Sequence, residues 1–297
     1  MKQHISPIYI YLDQNHLIYI REGNPEYAEL IDIIRRNPDK LKVVLSAAHV
    51  EETHKIGDKA TKERHIAAVE SIHSGEWLRD PNRLLRDEVL ASFYNYTSKG
   101  KKKAINPFTL NYLIDSDKKP LKFGEEIALW EKSLAQLPDL KRASELIDYA
   151  WPKAVNESKN MKSFRDRRPK RLKAVKNDVL NVLSREKNLT LASGIALPKN
   201  SSIIKEFADR EAEKTNLLMA IYCLHDLKAK QTKGRATSND LQDLIHSTPA
   251  VYCDALLIEN EGRALLENPE IRNFIRGKAF SNVKDFTEYI KELLKDC

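Results

Sequence analysis

The chain has 297 residues, 41% of them hydrophobic and 31% charged, with a formal net charge of +7. That composition suits a globular protein with a real core, in one large domain or two modest ones. The charge permits a polyanionic partner without demanding one. No apolar run is long enough to span a bilayer, and the longest helical pattern, around Leu217 to Leu227, is amphipathic. Cys223, Cys253 and Cys297 are odd in number and form no CxxC pair. A disulfide framework or a structural zinc site is therefore not expected, and a reducing cytoplasm is the expected location.

Met1 to Pro7 leads almost at once into a strand, with no signal-peptide pattern. Ile8-Tyr9-Ile10-Tyr11-Leu12 is β-branched and aromatic, the pattern of a strand buried on both faces of a parallel sheet. Asp13 follows at its carboxyl end, where open α/β sheets place their sites. Glu26 to Arg36 predicts an amphipathic helix ended by Asn37-Pro38-Asp39. Leu41 to Ser46 predicts a second strand, running into a helix from about Ala47 to beyond Glu70. This β-α-β-α order implies a parallel sheet.

From about Trp77 the pattern changes. Asp80-Pro81-Asn82, Gly100-Lys101-Lys102-Lys103 and Asn106-Pro107 break up short apolar segments. Helical patterns return at Gly124 to Leu137 and Asp139 to Asn156, and no strand-like run is read between Trp77 and Asn200. Residues 77–200 are thus expected to be a helical insertion in a core formed by 1–76 and 201–297. The core signal resumes with a long helix from Ser201-Ser202 to about Lys230. A short helix follows near Asp240, then a buried strand at Ala255 to Ile258. A helix or turn near Arg263 to Leu266 and a final helix from Asp285 to Leu294 close the chain.

Acidic residues recur at the ends of these elements: Asp13, Glu51 and Glu52, Asp240 and Asp243, and Asp254 and Glu259. Each has a structural reading as well. Asp13 and Asp240 could be helix N-caps, and Glu51-Glu52 a solvated helix face. Carboxylates gathered at one point repel one another unless a hard divalent cation sits among them. Mg²⁺ or Mn²⁺ takes oxygen ligands and keeps several waters, so about three or four carboxylates suffice. Such a centre hydrolyses phosphodiesters. HExxH spacing and a Walker-type glycine loop are both missing. Asn15 stands where a haloacid-dehalogenase-type phosphatase needs its second aspartate.

The series Leu12-Asp13-Gln14-Asn15, Leu45-Ser46-Ala47-Ala48-His49-Val50-Glu51-Glu52, Asn239-Asp240-Leu241-Gln242-Asp243 and Cys253-Asp254 to Glu259-Asn260 resembles the PIN-like nuclease family. The resemblance covers roughly residues 5 to 75 and 200 to 297. It implies a three-layer α/β/α core with a central parallel sheet and a Mg²⁺- or Mn²⁺-dependent endonuclease, with RNA a more likely substrate than DNA. A toxin or phage-defence role is expected on the same basis. Asp13, Glu52 and Asp243 are the implied metal ligands, with Glu51 and Asp240 as alternates. Asp254 or Glu259 supplies the fourth acid, because Asn260 replaces the aspartate the family carries after its last strand. That departure favours the rival reading, a non-catalytic nucleic-acid- or protein-binding module on a degenerate nuclease core.

Asn15 and His16 are placed to position water or phosphate, and His49 and His246 lie beside the second and third acid clusters. Arg165, Arg167, Arg168, Lys170 and Arg171 make a dense basic stretch suited to phosphates, with Phe164 nearby for stacking. A protein partner or a second copy docking through the helical insertion is the alternative role for that region.

Overall fold

The structure is a computed structural model that describes residues 6–98, 102–110, 121–136, 164–186, 189, 196–197, 201–231 and 248–297. It is α/β, with a four-stranded parallel sheet flanked by helices. The sheet strands are β1 (Ile8–Leu12), β2 (Leu41–Val44), β5 (Ala255–Leu257) and β6 (Lys278–Phe280), in the order β2-β1-β5-β6. The chain leaves β1 first to one side and later returns on the other. The crevice between the carboxyl ends of β1 and β5 is therefore a topological switch point, where such sheets bind ligands.

The unbroken apolar character of β1 has a simple cause: both of its faces are covered. Ile8, Ile10 and Leu12 enter one core, while Tyr11 enters the other, with Tyr9 packed at its edge. On the first face lie α1 (Gln14–Arg21), α2 (Ala28–Arg36), α4 (Lys59–Glu70) and α12 (Val283–Lys295). In α12, Val283, Phe286 and Ile290 recur at helical spacing and are buried, and Asn282 caps the helix by accepting from Lys284 N at 2.8 Å. On the second face lie α5 (Pro81–Thr97), α9 (Asn216–Gln231), α10 (Asn260–Leu266) and α11 (Pro269–Arg272). Helices on both faces are compatible with a three-layer arrangement.

A third core joins α5 and α9 to α7 (Phe164–Arg185) and α8 (Ser202–Glu211), through Val89, Phe93, Val175, Val179, Phe207 and Leu218. The remaining elements are α3 (Ala47–His54), β3 (Trp77–Leu78), β4 (Phe108–Thr109) and α6 (Phe123–Gln136).

Several sequence expectations are corrected. The region after Trp77 does contain strands: β3 and β4 form an antiparallel pair, and Trp77 bridges Leu45 just past β2. Two-residue strands are too short to show as an alternating run. Trp77, Phe123 and Ile127 pack into the first sheet core, and Leu84 and Phe108 into the second.

The helix predicted from Ala47 past Glu70 is two helices. Its break falls at Gly57-Asp58, where the Asp58 carboxylate caps α4 by accepting from Thr61 N at 2.7 Å. The helix predicted from Ser202 to Lys230 is also two, parted by a 3₁₀ turn at Ala212–Lys214 and a non-helical Thr215. β6 was not anticipated, and it pairs with β5 through three residues. The patterns at Asp139 to Asn156 and near Asp240 lie outside the described residues.

Candidate active site

Asp13 leaves β1 at the switch point and caps α1. Its Oδ1 accepts from His16 N at 3.2 Å, and its backbone oxygen accepts from Leu17 N. Its Oδ2 accepts from Glu259 N at 2.9 Å, and its own N–H donates to Leu257 O at 3.0 Å. One carboxylate therefore links the ends of β1 and β5. It is only 6% exposed, and no Lys or Arg pairs with it among the described residues. His16 lies 3.9 Å away, and burial lowers its pKa, an effect that Asp13 partly opposes. His16 is itself held by a hydrogen bond of 2.5 Å between Nδ1 and the Tyr27 hydroxyl. The cap and ligand readings of Asp13 are compatible, since a carboxylate oxygen bonded to one N–H keeps a lone pair.

Glu259 stands two residues beyond β5 and is exposed, with its Oε1 accepting from Asn15 Nδ2. The choice between Glu259 and Asp254 is thereby decided in favour of Glu259 as the neighbour of Asp13. Asp254 precedes β5, and its Oδ2 accepts from Tyr9 N at 2.8 Å. That contact is four residues back along β1, about 13 Å from Asp13 at strand rise. Asp254 pairs instead with Arg276 at 2.5 Å, so as a metal ligand beside Asp13 it is corrected to an ion pair at the amino edge of the sheet.

The second acid cluster divides in the same way. Glu51 turns outward to an i,i+4 ion pair with Lys55 at 3.0 Å. Glu52 is half-buried. Burial pushes the Tyr11 phenol well above its ordinary range, and the Glu52 and Asp13 carboxylates act on it in the same sense. His49 is structural rather than a ligand. Its Nδ1 accepts from Ser46 N at 3.0 Å, taking the place of the Glu of a capping box, and its Nε2 donates to Leu12 O at 2.8 Å. It ties the start of α3 to the end of β1.

Beneath α1, Gln14 Nε2 lies 3.1 Å from His65 Nε2 and donates to Thr53 Oγ1 at 3.4 Å. Burial lowers His65 to about 4, so it is neutral near pH 7. The sequence reading passed over this layer, and also over Lys228. Lys228 is 4% exposed and meets Glu261 at 3.1 Å, two residues past Glu259. Its signal was a lysine one turn beyond Leu224 on the apolar face of an amphipathic helix.

The basic stretch is only partly a surface. Arg171 is buried, 3.1 Å from Asp226 and 3.8 Å from Glu270, and it donates to Cys223 Sγ at 2.7 Å. It is an internal tie between α7, α9 and α11, which corrects its reading as a phosphate contact. Arg168 lies 3.8 Å from Glu213 and Lys176 lies 3.2 Å from Asp209, while Lys170 and Lys173 face solvent. The side chains of Phe164, Arg165 and Arg167 lie outside the described residues, as do Asp240, Asp243 and His246.

The donors at the switch point are carboxylate oxygens, which suit a hard cation such as Mg²⁺ or Mn²⁺. Asp13 fits the same group, since it is a buried carboxylate held by backbone N–H groups with no Lys or Arg beside it among the described residues. Among the described residues no three His, Cys, Asp or Glu side chains gather closely enough to hold a metal. Asp13, Glu52 and Glu259 therefore do not by themselves form a metal-holding cluster. Comparison with protein-family models, curated proteins and solved structures returns no match.

Proposed function

We propose that this chain is a metal-dependent endonuclease of PIN-like type that hydrolyses phosphodiester bonds, with RNA as the preferred substrate. The observation that carries the reading is Asp13. It is a buried carboxylate without a cationic partner among the described residues, at the β1–β5 switch point, bonded to the backbone of Glu259. Asp13, Glu52 and Glu259 would hold Mg²⁺ or Mn²⁺, with Asp243 proposed as the ligand that completes the set. When bound, such an ion supplies Lewis acidity toward the phosphate and lowers the pKa of an attacking water.

The chain's own residues do the positioning. His16 N and Glu259 N orient the Asp13 carboxylate, and Asn15 orients that of Glu259. His49 fixes the Leu12 carbonyl immediately before Asp13. Burial lowers His65 to about 4, so the layer beneath α1 carries no imidazolium from it at neutral pH. Arg168, Lys170 and Lys173 are the basic residues proposed to contact the strand outside the site.

The test is purified protein with labelled single-stranded RNA and DNA in Mg²⁺, Mn²⁺ or EDTA, beside Asp13→Asn and Glu259→Gln. Cleavage is expected in either metal, lost in EDTA and in Asp13→Asn, and reduced in Glu259→Gln. Cutting that survives both EDTA and Asp13→Asn would falsify the metal–carboxylate reading. The small number of close acids among the described residues favours one rival, a non-catalytic nucleic-acid-binding module. Binding without cleavage in every metal would establish that rival.

A further inference from the structure

We propose that Tyr19 is a stacking platform for an unpaired base of the bound strand, one helical turn from Asn15 at the rim of the candidate site. The inference rests on the nuclease reading and adds a substrate feature to it: the strand is single where it meets α1. Tyr19 is the large hydrophobic side chain that remains exposed among the described residues, at 44%. A scattered exposed tyrosine needs no explanation by itself. This one stands on the helix that Asp13 caps, four residues from the Asn15 side chain that bonds Glu259. Residues four apart on a helix share a face, with Cβ atoms about 5–6 Å apart.

The ring is also braced. The buried His16 meets it edge-on, with centroids 6.1 Å apart and planes at 68°. The buried Tyr27 lies tilted against it at 5.9 Å and 36°. A side chain already held by two buried rings loses little rotamer freedom when a base lands on it. The chemistry fits as well. An aromatic face stacks on any base, so a platform here adds affinity without depending on sequence. Bases in a duplex are already stacked on one another, which makes the platform selective for single strands.

The experiment measures binding of single-stranded RNA, single-stranded DNA and duplex RNA, each carrying a fluorescent base analogue. It is run in Ca²⁺, with cleavage followed separately in Mg²⁺. Tyr19→Ala and Tyr19→Leu are expected to weaken single-strand binding about 5- to 150-fold and to abolish the analogue's quenching. Tyr19→Phe is expected to retain both, and duplex affinity to stay unchanged in all three. Thermal unfolding of Tyr19→Phe should match the wild type, while Tyr19→Ala and Tyr19→Leu lose packing against His16 and Tyr27 and are expected to melt slightly lower. Equal losses on duplex, or wild-type affinity in Tyr19→Ala and Tyr19→Leu, would overturn the platform and leave Tyr19 as a cover for Tyr27. A wild type that binds and cuts while insensitive to Tyr19 removes this inference alone. A wild type that binds no single strand removes the nuclease reading with it.

Discussion

At the scale of single residues, Asp13 has two separable tasks. Asparagine caps a helix about as well as aspartate, whereas alanine costs roughly 1 kcal/mol. Asp13→Asn keeps the cap to His16 N but turns an amide donor toward Glu259 N, so it is expected to lose about 1–2 kcal/mol of stability along with metal-dependent cleavage, and Asp13→Ala, which forfeits the cap as well, to lose more. Thermal melts run beside the cleavage assay separate the two. His49 makes the converse case. It is fully buried with both ring nitrogens bonded to backbone, so His49→Ala forfeits two hydrogen bonds and opens a cavity. A loss of about 2–4 kcal/mol is expected in denaturant unfolding. A fully stable His49→Ala protein with a specific catalytic defect would contradict the structural role given to it.

At the scale of elements, what the sequence announces and what it conceals follow from packing. β1 was legible because both its faces are buried, and Asp13 because the carboxyl end of a parallel strand is where sites form. β6 was not, since Lys278-Ala279-Phe280 is three residues long and begins with an exposed lysine. Its place depends on Gly277, where an added Cβ would sit 2.7 Å from Cys253 O and 2.5 Å from Leu256 Cδ1. Gly277→Ala is expected to destabilise the β5–β6 edge by about 1–3 kcal/mol, checked by denaturant unfolding.

The division of Glu51 from Glu52, and of Asp254 from Glu259, was equally hidden. Neighbours in sequence point to different sides of a helix, or stand at opposite ends of one strand. The basic stretch misled for a related reason. Its period puts Arg171 on the buried face with Val175 and Val179, so a charged residue joined a core through Asp226. Removing one partner of a buried pair costs about 3–5 kcal/mol. Arg171→Ala is expected to unfold α7 and α9 from each other, while Lys170→Glu with Lys173→Glu leaves stability intact and weakens RNA binding. Chemical denaturation and a salt-dependent binding assay distinguish these outcomes.

At the scale of the whole molecule, buried titratable groups set how stability responds to pH. Burial lowers both His65 and His73 from 6.5 to about 4. The fold therefore favours their neutral forms, and that stability is present above pH 6.5 and lost as pH falls through about 4. Glu88 works in the opposite sense. Burial raises it from 4.5 to about 7, although it caps α9 by accepting from Leu217 N at 2.9 Å. Its contribution is present below pH 4.5 and lost as pH rises through about 7. Glu88→Gln keeps the acceptor without the charge, so its stability advantage over the wild type should grow from about pH 5 to about pH 8. A difference that shrinks over that range would contradict the burial of Glu88.

These groups frame a sheet whose carboxyl edge carries Asp13 and Glu259, and the account stands or falls on whether that edge binds a cation. The most direct measurement is Mn²⁺ binding followed by electron paramagnetic resonance on the full chain, comparing wild type, Asp13→Asn and Asp254→Asn. The account predicts one bound Mn²⁺ in the wild type and in Asp254→Asn, with affinity reduced at least about tenfold in Asp13→Asn, the loss of one charged ligand. No bound Mn²⁺ in the wild type, or equal affinity in Asp13→Asn, would contradict it.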